Sequence, residues 1–216
     1  MGFADSVKKE IQYFGIANVM KDAALRGINT VVYFKILRCI TNNKINPDYL
    51  NPADGYTCRF LNADELLFFS GIKKLALPTS LVRANLKKGD QCYGILDGDF
   101  LASYSWFSNL PTTLGNGLQV KYDPRYIYVY HGYTHPAYRG RRLGVIRSTR
   151  ALYEFLQRGF KGFVAYVEEN NLRNLHAVYR TGYRDFGRIY IVNFFGKYLV
   201  HHSPGCAEYG FTITPE

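Results

Sequence analysis

A chain of 216 residues with 47% hydrophobic content is long enough for one domain with a real core and too apolar for wholesale disorder. Its formal net charge of +10 favours anionic partners (nucleic acid, anionic lipid, an acidic carrier protein or a phosphorylated cofactor) without choosing among them. The sequence lacks a run of about 20 apolar residues that would span a bilayer, and Cys39, Cys58, Cys92 and Cys206 lack zinc-ligand spacing. The expectation is therefore a cytoplasmic protein with reduced thiols and no metal.

In chain order, Asp5 or Ser6 suits the cap of a helix over residues 7–27. Val7, Ile11 and Phe14 give that helix an apolar face, and Lys8, Lys9 and Lys21 a basic one. Such a helix packs on the main domain or makes a peripheral membrane contact. Residues 30–40, TVVYFKILRCI, are ambiguous between helix and strand. The breakers Pro47, Pro52 and Gly55 mark a linker. This divides the chain into a helical extension over 1–52 and an α/β domain over 53–216.

After the linker the pattern becomes regular. Residues 56–61 read as a strand, and Asn62 or Asp64 starts a helix over 63–75. Residues 77–90 are a helical or irregular link. The run 91–108 is a hairpin, two apolar-aromatic segments joined at Asp97–Gly98. A polar loop over 109–123 leads to a strand rich in Tyr, Ile and Val that Pro136 stops. A basic, Gly-containing loop follows and opens a helix. Its free backbone N–H groups and helix dipole suit an anion. A strand over 160–170 completes a unit that favours a parallel pair. A short helix ends near Gly182, and residues 187–203 give two strands broken at Gly196.

Two motifs on these elements carry a family resemblance. The loop Arg139-Gly140-Arg141-Arg142-Leu143-Gly144 stands where R/Q-x-x-G-x-G/A would, with Arg142 in place of the first glycine. Downstream, Asn171, Asn174, Gly182 and Tyr183 follow N-x-x-A/S-x-x-x-Y-x-x-x-G-F. Val178 takes the tyrosine position and Tyr179 comes one residue later, about 100° round a helix. In its element order β-α-β-β-β-α-β-α-β the chain from Tyr56 onward resembles the GNAT superfamily of acyl-CoA-dependent N-acetyltransferases.

The resemblance implies an α/β (α+β) fold, a mixed, mostly antiparallel twisted sheet flanked by helices. It implies acetyl-CoA or another acyl-CoA as cosubstrate, no metal, and direct attack of a primary amine on the thioester. Arg139, Gly140, Arg141, Arg142, Leu143 and Gly144 would then cradle the pyrophosphate. Gly132, Tyr133 and Thr134 would pair with the pantetheine arm, and Asn171 would orient the cofactor or cap the following helix. Tyr179 is the candidate acid, with Tyr133 and Tyr138 as competitors. Glu169, with its neighbour Glu168, and His131 are the candidate bases. The acceptor is a small-molecule or sugar amine of unnamed structure. Two alternatives stay open. One is an N-acyl amino acid synthase-like enzyme fed by long-chain acyl groups on acyl carrier protein. The other is a non-catalytic basic module for nucleic acid or anionic lipid, with nucleic acid the less expected partner.

Overall fold

The computed structural model describes residues 3–28, 33–51, 55–115 and 117–216, without side-chain detail for 3–7, 26–28 and 115. The first expected helix is two, α1 (Phe3–Phe14) and α2 (Ile16–Ile28), because Gly15 adopts φ +80° and breaks the hydrogen-bond run. Asp5 and Ser6 therefore lie inside α1 and do not precede it.

The ambiguous segment is a strand, β1 (Tyr33–Asn42). After it come β2 (Tyr56–Phe60), α3 (Ala63–Ser70), α4 (Thr79–Lys88), β3 (Gln91–Asp97) and β4 (Phe100–Ser108). Asn62 starts α3 with a reciprocal cap, its Oδ1 accepting from the Glu65 N–H at 2.9 Å while Glu65 accepts from the Asn62 N–H at 2.9 Å. Within the expected polar loop lie two short strands, β5 (Thr112–Gly115) and β6 (Leu118–Lys121). Then follow β7 (Ile127–Thr134), α5 (Leu143–Gln157), β8 (Phe163–Glu168), α6 (Leu172–Arg180), β9 (Arg184–Phe194), β10 (Lys197–His202), α7 (Gly205–Glu208) and β11 (Thr212–Pro215).

The main sheet has the order β10-β9-β1-β8-β7-β4-β3-β2, and β5, β6 and β11 form a second, small sheet. This is the expected mixed, mostly antiparallel sheet flanked by helices. Its parallel pair, β7 with β8, is short: Ile127 faces Phe163 and Tyr128 faces Val164, and then the ladder stops. Beyond Tyr128 the facing edge of β7 has no strand beside it.

The division of the chain needs correction. The boundary between 52 and 53 lies outside the described residues, but β1, from the supposed helical extension, sits inside the main sheet. It pairs antiparallel with β8 through Leu37–Glu168 to Asn42–Phe163 and with β9 through Tyr33–Asn193 to Thr41–Arg184. The second half of β1 is buried, so its sequence shows a continuous run without alternation. Even its polar end is accommodated: Thr41 Oγ1 donates to the Phe163 carbonyl at 2.9 Å and Asn42 Nδ2 to the Thr181 carbonyl at 3.0 Å.

Both sheet faces are covered. Ile40, Phe107, Leu152, Phe155 and Phe163 form the core beneath α5 and α6. Leu37, Val164, Ile189, Phe211 and Ile213 pack between the main and small sheets. Each fully buried aromatic or aliphatic side chain contributes about 2 kcal/mol. These layers hold the gap between β7 and β8 open at one end and closed at the other.

Candidate functional site

Where β7 and β8 part, a cleft of about 620 Å³ opens. Its rim is the loop leading into α5, one wall is the free edge of β7, and its deeper wall includes Phe107, Ala165, Val167 and Val178.

The loop is shaped by two departures from ordinary backbone, one residue apart. Gly140 has φ +83°, and Arg142, the residue before α5, has φ +61° and ψ 14°, the left-handed region. The position thus keeps a glycine-like backbone although it carries a side chain. The turn brings the N–H groups of residues 140–144 together. Among the described residues none of them has an acceptor, the first helical bonds being Val145 and Ile146 to the Arg142 carbonyl. With the α5 dipole behind them these free N–H groups suit an anion. Arg139, Gly140, Arg142, Leu143 and Gly144 line the cleft. Arg141 does not. It donates to the Tyr56 hydroxyl at 3.1 Å and lies over the Tyr138 ring, outside the cradle.

The β7 wall carries a bulge. Tyr104 faces Tyr133 and Trp106 faces Tyr130, so His131 and Gly132 together oppose Ser105. His131 takes up the extra residue with φ +52° and turns into the cleft. The cleft walls strip part of its hydration and lower its pKa below the ordinary imidazole value. Gly132 leaves little room for a side chain: a Cβ there would lie 3.0 Å from Ser105 Oγ and 3.1 Å from Arg147 Nη2. Tyr133 and Thr134 continue the wall toward the loop.

Arg147 lies one turn into α5 and is 8% exposed. Its Nη1 donates to the Tyr133 carbonyl at 2.9 Å and to Ser103 Oγ, which pins the guanidinium beneath β7. Ser105, Ser148 and Tyr183 line the cleft around it. Ser105 and Ser148 were not singled out from sequence, and Tyr183 only as a motif position. A signal existed in β4, where Ser103 and Ser105 alternate with large apolar residues and so share the α5-facing side.

The other expected residues are elsewhere. Asn171 caps α6, accepting from the Asn174 N–H at 3.2 Å, and it is Asn174 that reaches the cleft. Val178 lines the cleft and Tyr179 does not, as one residue of helical rotation dictates. The Tyr179 hydroxyl donates to Asp185 Oδ1 at 2.6 Å and accepts from Arg38 Nη1 at 2.9 Å. Glu169 is 4% exposed and bound by Arg38 and Lys21. Burial alone would raise its pKa, but the hydrogen bonds and charges of Arg38 and Lys21 outweigh burial and hold it at about 2. Such a carboxylate is too weak a base to take a proton from an amine. Of the three expected catalytic residues, the structure brings only His131 into the cleft.

Searched against protein-family models and against curated proteins, the sequence matches none. Among solved structures it is similar to a GNAT-family acetyltransferase from Colwellia psychrerythraea, with a TM-score of 0.54 and 15% identity over 75% of this chain and 57% of that one. It is also similar to a GCN5-related N-acetyltransferase-like protein from Streptococcus suis, with a TM-score of 0.50 and 14% identity over 85% of this chain and 68% of that one. A third likeness is to a GCN5-related glucosamine N-acetyltransferase region in a fungal multi-domain β-N-acetylglucosaminidase, with a TM-score of 0.53 and 13% identity over 81% of this chain and 23% of that one. The chain thus spans little more than half of the Colwellia structure. These likenesses establish the fold as that of the GNAT acetyltransferases.

Proposed function

We propose that this chain is an acyl-CoA-dependent N-acyltransferase acting on a primary amine. The observation that carries the reading is the joining, in one cleft, of an anion cradle at the start of α5 to a strand edge left free by the divergence of β7 and β8. The cradle suits a pyrophosphate, and the free N–H and C=O groups of β7 suit an amide-bearing arm laid alongside as another strand.

In this reading the amine nitrogen attacks the thioester carbonyl, the C–N bond forms and the C–S bond breaks. His131, kept neutral by its lowered pKa, takes the proton that the ammonium must lose before attack. Tyr179 and Glu169 hold the architecture through Arg38 and take no part in proton transfer.

The test is equilibrium binding of CoA and acetyl-CoA to the purified chain, followed by thiol release against a panel of amines. Saturable CoA binding with amine-dependent thiol release supports the reading. Absence of any CoA binding overturns it.

A further inference from the structure

Arg147 is a buried cation without a counter-charge. Its Nη1 is committed to neutral partners, Ser103 Oγ and the Tyr133 carbonyl, and its Nε is buried with no acceptor. Among the described residues no carboxylate forms an ion pair with it. Burial lowers its pKa to about 10, so the guanidinium is still charged at neutral pH. A buried charge and an orphaned donor cost free energy unless something in the cleft meets them.

The position of Arg147 says which part of a ligand that would be. The phosphate cradle ends at Gly144, and Arg147 is three residues further into the helix, about 5 Å along its axis. It sits beneath Gly132, with Nη2 facing the point where a Cβ would be, 3.1 Å away. This is the level of the bulge and of His131, where the acyl end of the donor would lie, and not the level of the pyrophosphate. Ser105 Oγ faces the same point at 3.0 Å, and Ser148 and Tyr183 bring their hydroxyls to within 3.5 Å of each other beside it. Ile40, Phe107 and Ala165 surround this patch with apolar wall. A guanidinium flanked by hydroxyls in an apolar wall matches a carboxylate, which accepts from an arginine fork and from O–H donors together. A plain acetyl group would leave the charge without a partner.

We infer that the donor carries a carboxylate of its own, a dicarboxylic monothioester of the malonyl or succinyl class, and that Arg147 with Ser105, Ser148 and Tyr183 recognises it. This rests on the N-acyltransferase reading above. The transfer remains a simple exchange: the amine nitrogen bonds to the thioester carbon, CoA leaves as the thiol with the proton released from nitrogen, and the distal carboxylate is unchanged. No oxidant or reductant enters. The product is an amide with a free carboxylate, so a cationic amine becomes an anionic group.

Calorimetric titration of the full chain with CoA, acetyl-CoA, butyryl-CoA, malonyl-CoA and succinyl-CoA tests the inference. Succinyl-CoA or malonyl-CoA is expected to bind at least about tenfold more tightly than butyryl-CoA. Arg147→Met should abolish that preference. The wild-type comparison decides the matter even if the variant does not fold. If the chain binds CoA thioesters with no preference for a carboxylate, the inference is overturned and the acyltransferase reading stands. If it binds no CoA species, both fall.

Discussion

The half-buried Arg38 pairs with the buried Glu169: the arginine Nε donates to Oε2 at 2.9 Å and Nη2 reaches the other carboxylate oxygen. Lys21 adds a contact at 2.6 Å, and Arg38 also holds Asp185 at 3.2 Å and the Tyr179 hydroxyl at 2.9 Å. One carboxylate thus ties α2 and β1 to the end of β8, and through Arg38 to α6 and β9. Its pKa lies below its ordinary value of 4.5, at about 2. The stability it contributes is therefore present above pH 4.5 and is lost as pH falls through about 2. Urea unfolding midpoints should drop across that window in the wild type. Glu169→Gln should lower stability by about 3 kcal/mol at pH 7 and flatten the acid dependence. An unchanged acid limb in the variant would mean that another carboxylate dominates.

A chain starting at residue 53 should not fold. It lacks β1, which leaves the facing edges of β8 and β9 unpaired and opens the core at Leu37, Cys39 and Ile40. Removing residues 1–28 is milder, since it takes away the Lys21 contact and leaves the sheet complete. Circular dichroism and analytical gel filtration of the two truncated proteins should show an unfolded or aggregated product for the first and a folded, less stable one for the second. A folded protein from residue 53 onward would refute the central place of β1.

The loop before α5 separates strain from binding. Arg142 sits in the left-handed region, which costs a residue with a side chain about 1 kcal/mol, so Arg142→Gly should raise thermal stability by a similar amount. At Gly144 a Cβ would meet nothing within 4 Å. Gly144→Glu should therefore fold normally, helped by a negative charge in the first turn of the helix. The same charge should repel a pyrophosphate and weaken CoA binding at least about tenfold. If Gly144→Glu binds CoA as well as the wild type does, the cradle lies elsewhere.

Kinetics should distinguish His131 from Tyr179. His131→Gln is expected to lower the transfer rate roughly 100-fold. In the wild type the rate should fall in acid through a pKa below 6.5, because the neutral imidazole is the active form. Tyr179→Phe should leave the rate essentially unchanged and cost about 1 kcal/mol of stability through its lost hydrogen bonds to Asp185 and Arg38. The opposite result, a slow Tyr179 variant with an intact pH profile in the His131 variant, would return the acid role to the tyrosine.

The readability of these features from sequence follows the range of the interactions behind them. The β3–β4 hairpin, the Asn62 cap and the strand–loop–helix from residue 127 to 157 depend on neighbours in sequence, and each was legible. The orientation of Val178 and Tyr179 followed from helical rotation alone. The strand β1 was not legible, because burial on both faces erases the alternation that marks a strand. The small sheet was missed because β5 and β6 are four residues each and β11, which pairs with β6, comes from the end of the chain. The misassignment of Glu169 has the same origin: an acidic residue at a strand end looks available until Arg38 and Lys21, far off in sequence, are brought against it. His131 was a candidate by type, but its left-handed backbone had no signal beyond the adjacent Gly132.

The place of β1 also fixes when the molecule can be completed. Its partners, β8 (Phe163–Glu168) and β9 (Arg184–Phe194), are among the last strands to be made, whereas β1 is the first. At a synthesis rate of roughly 5–20 residues per second, the strand waits on the order of ten seconds on the ribosome for its neighbours. Pairing so distant in sequence closes a large loop and slows folding. During that interval Ile36, Leu37 and Ile40 are an apolar segment that has not yet met its partner strands. The sheet is thus closed at its middle by strands more than a hundred residues apart in sequence, and termination anywhere before β8 leaves β1 with no strand to join.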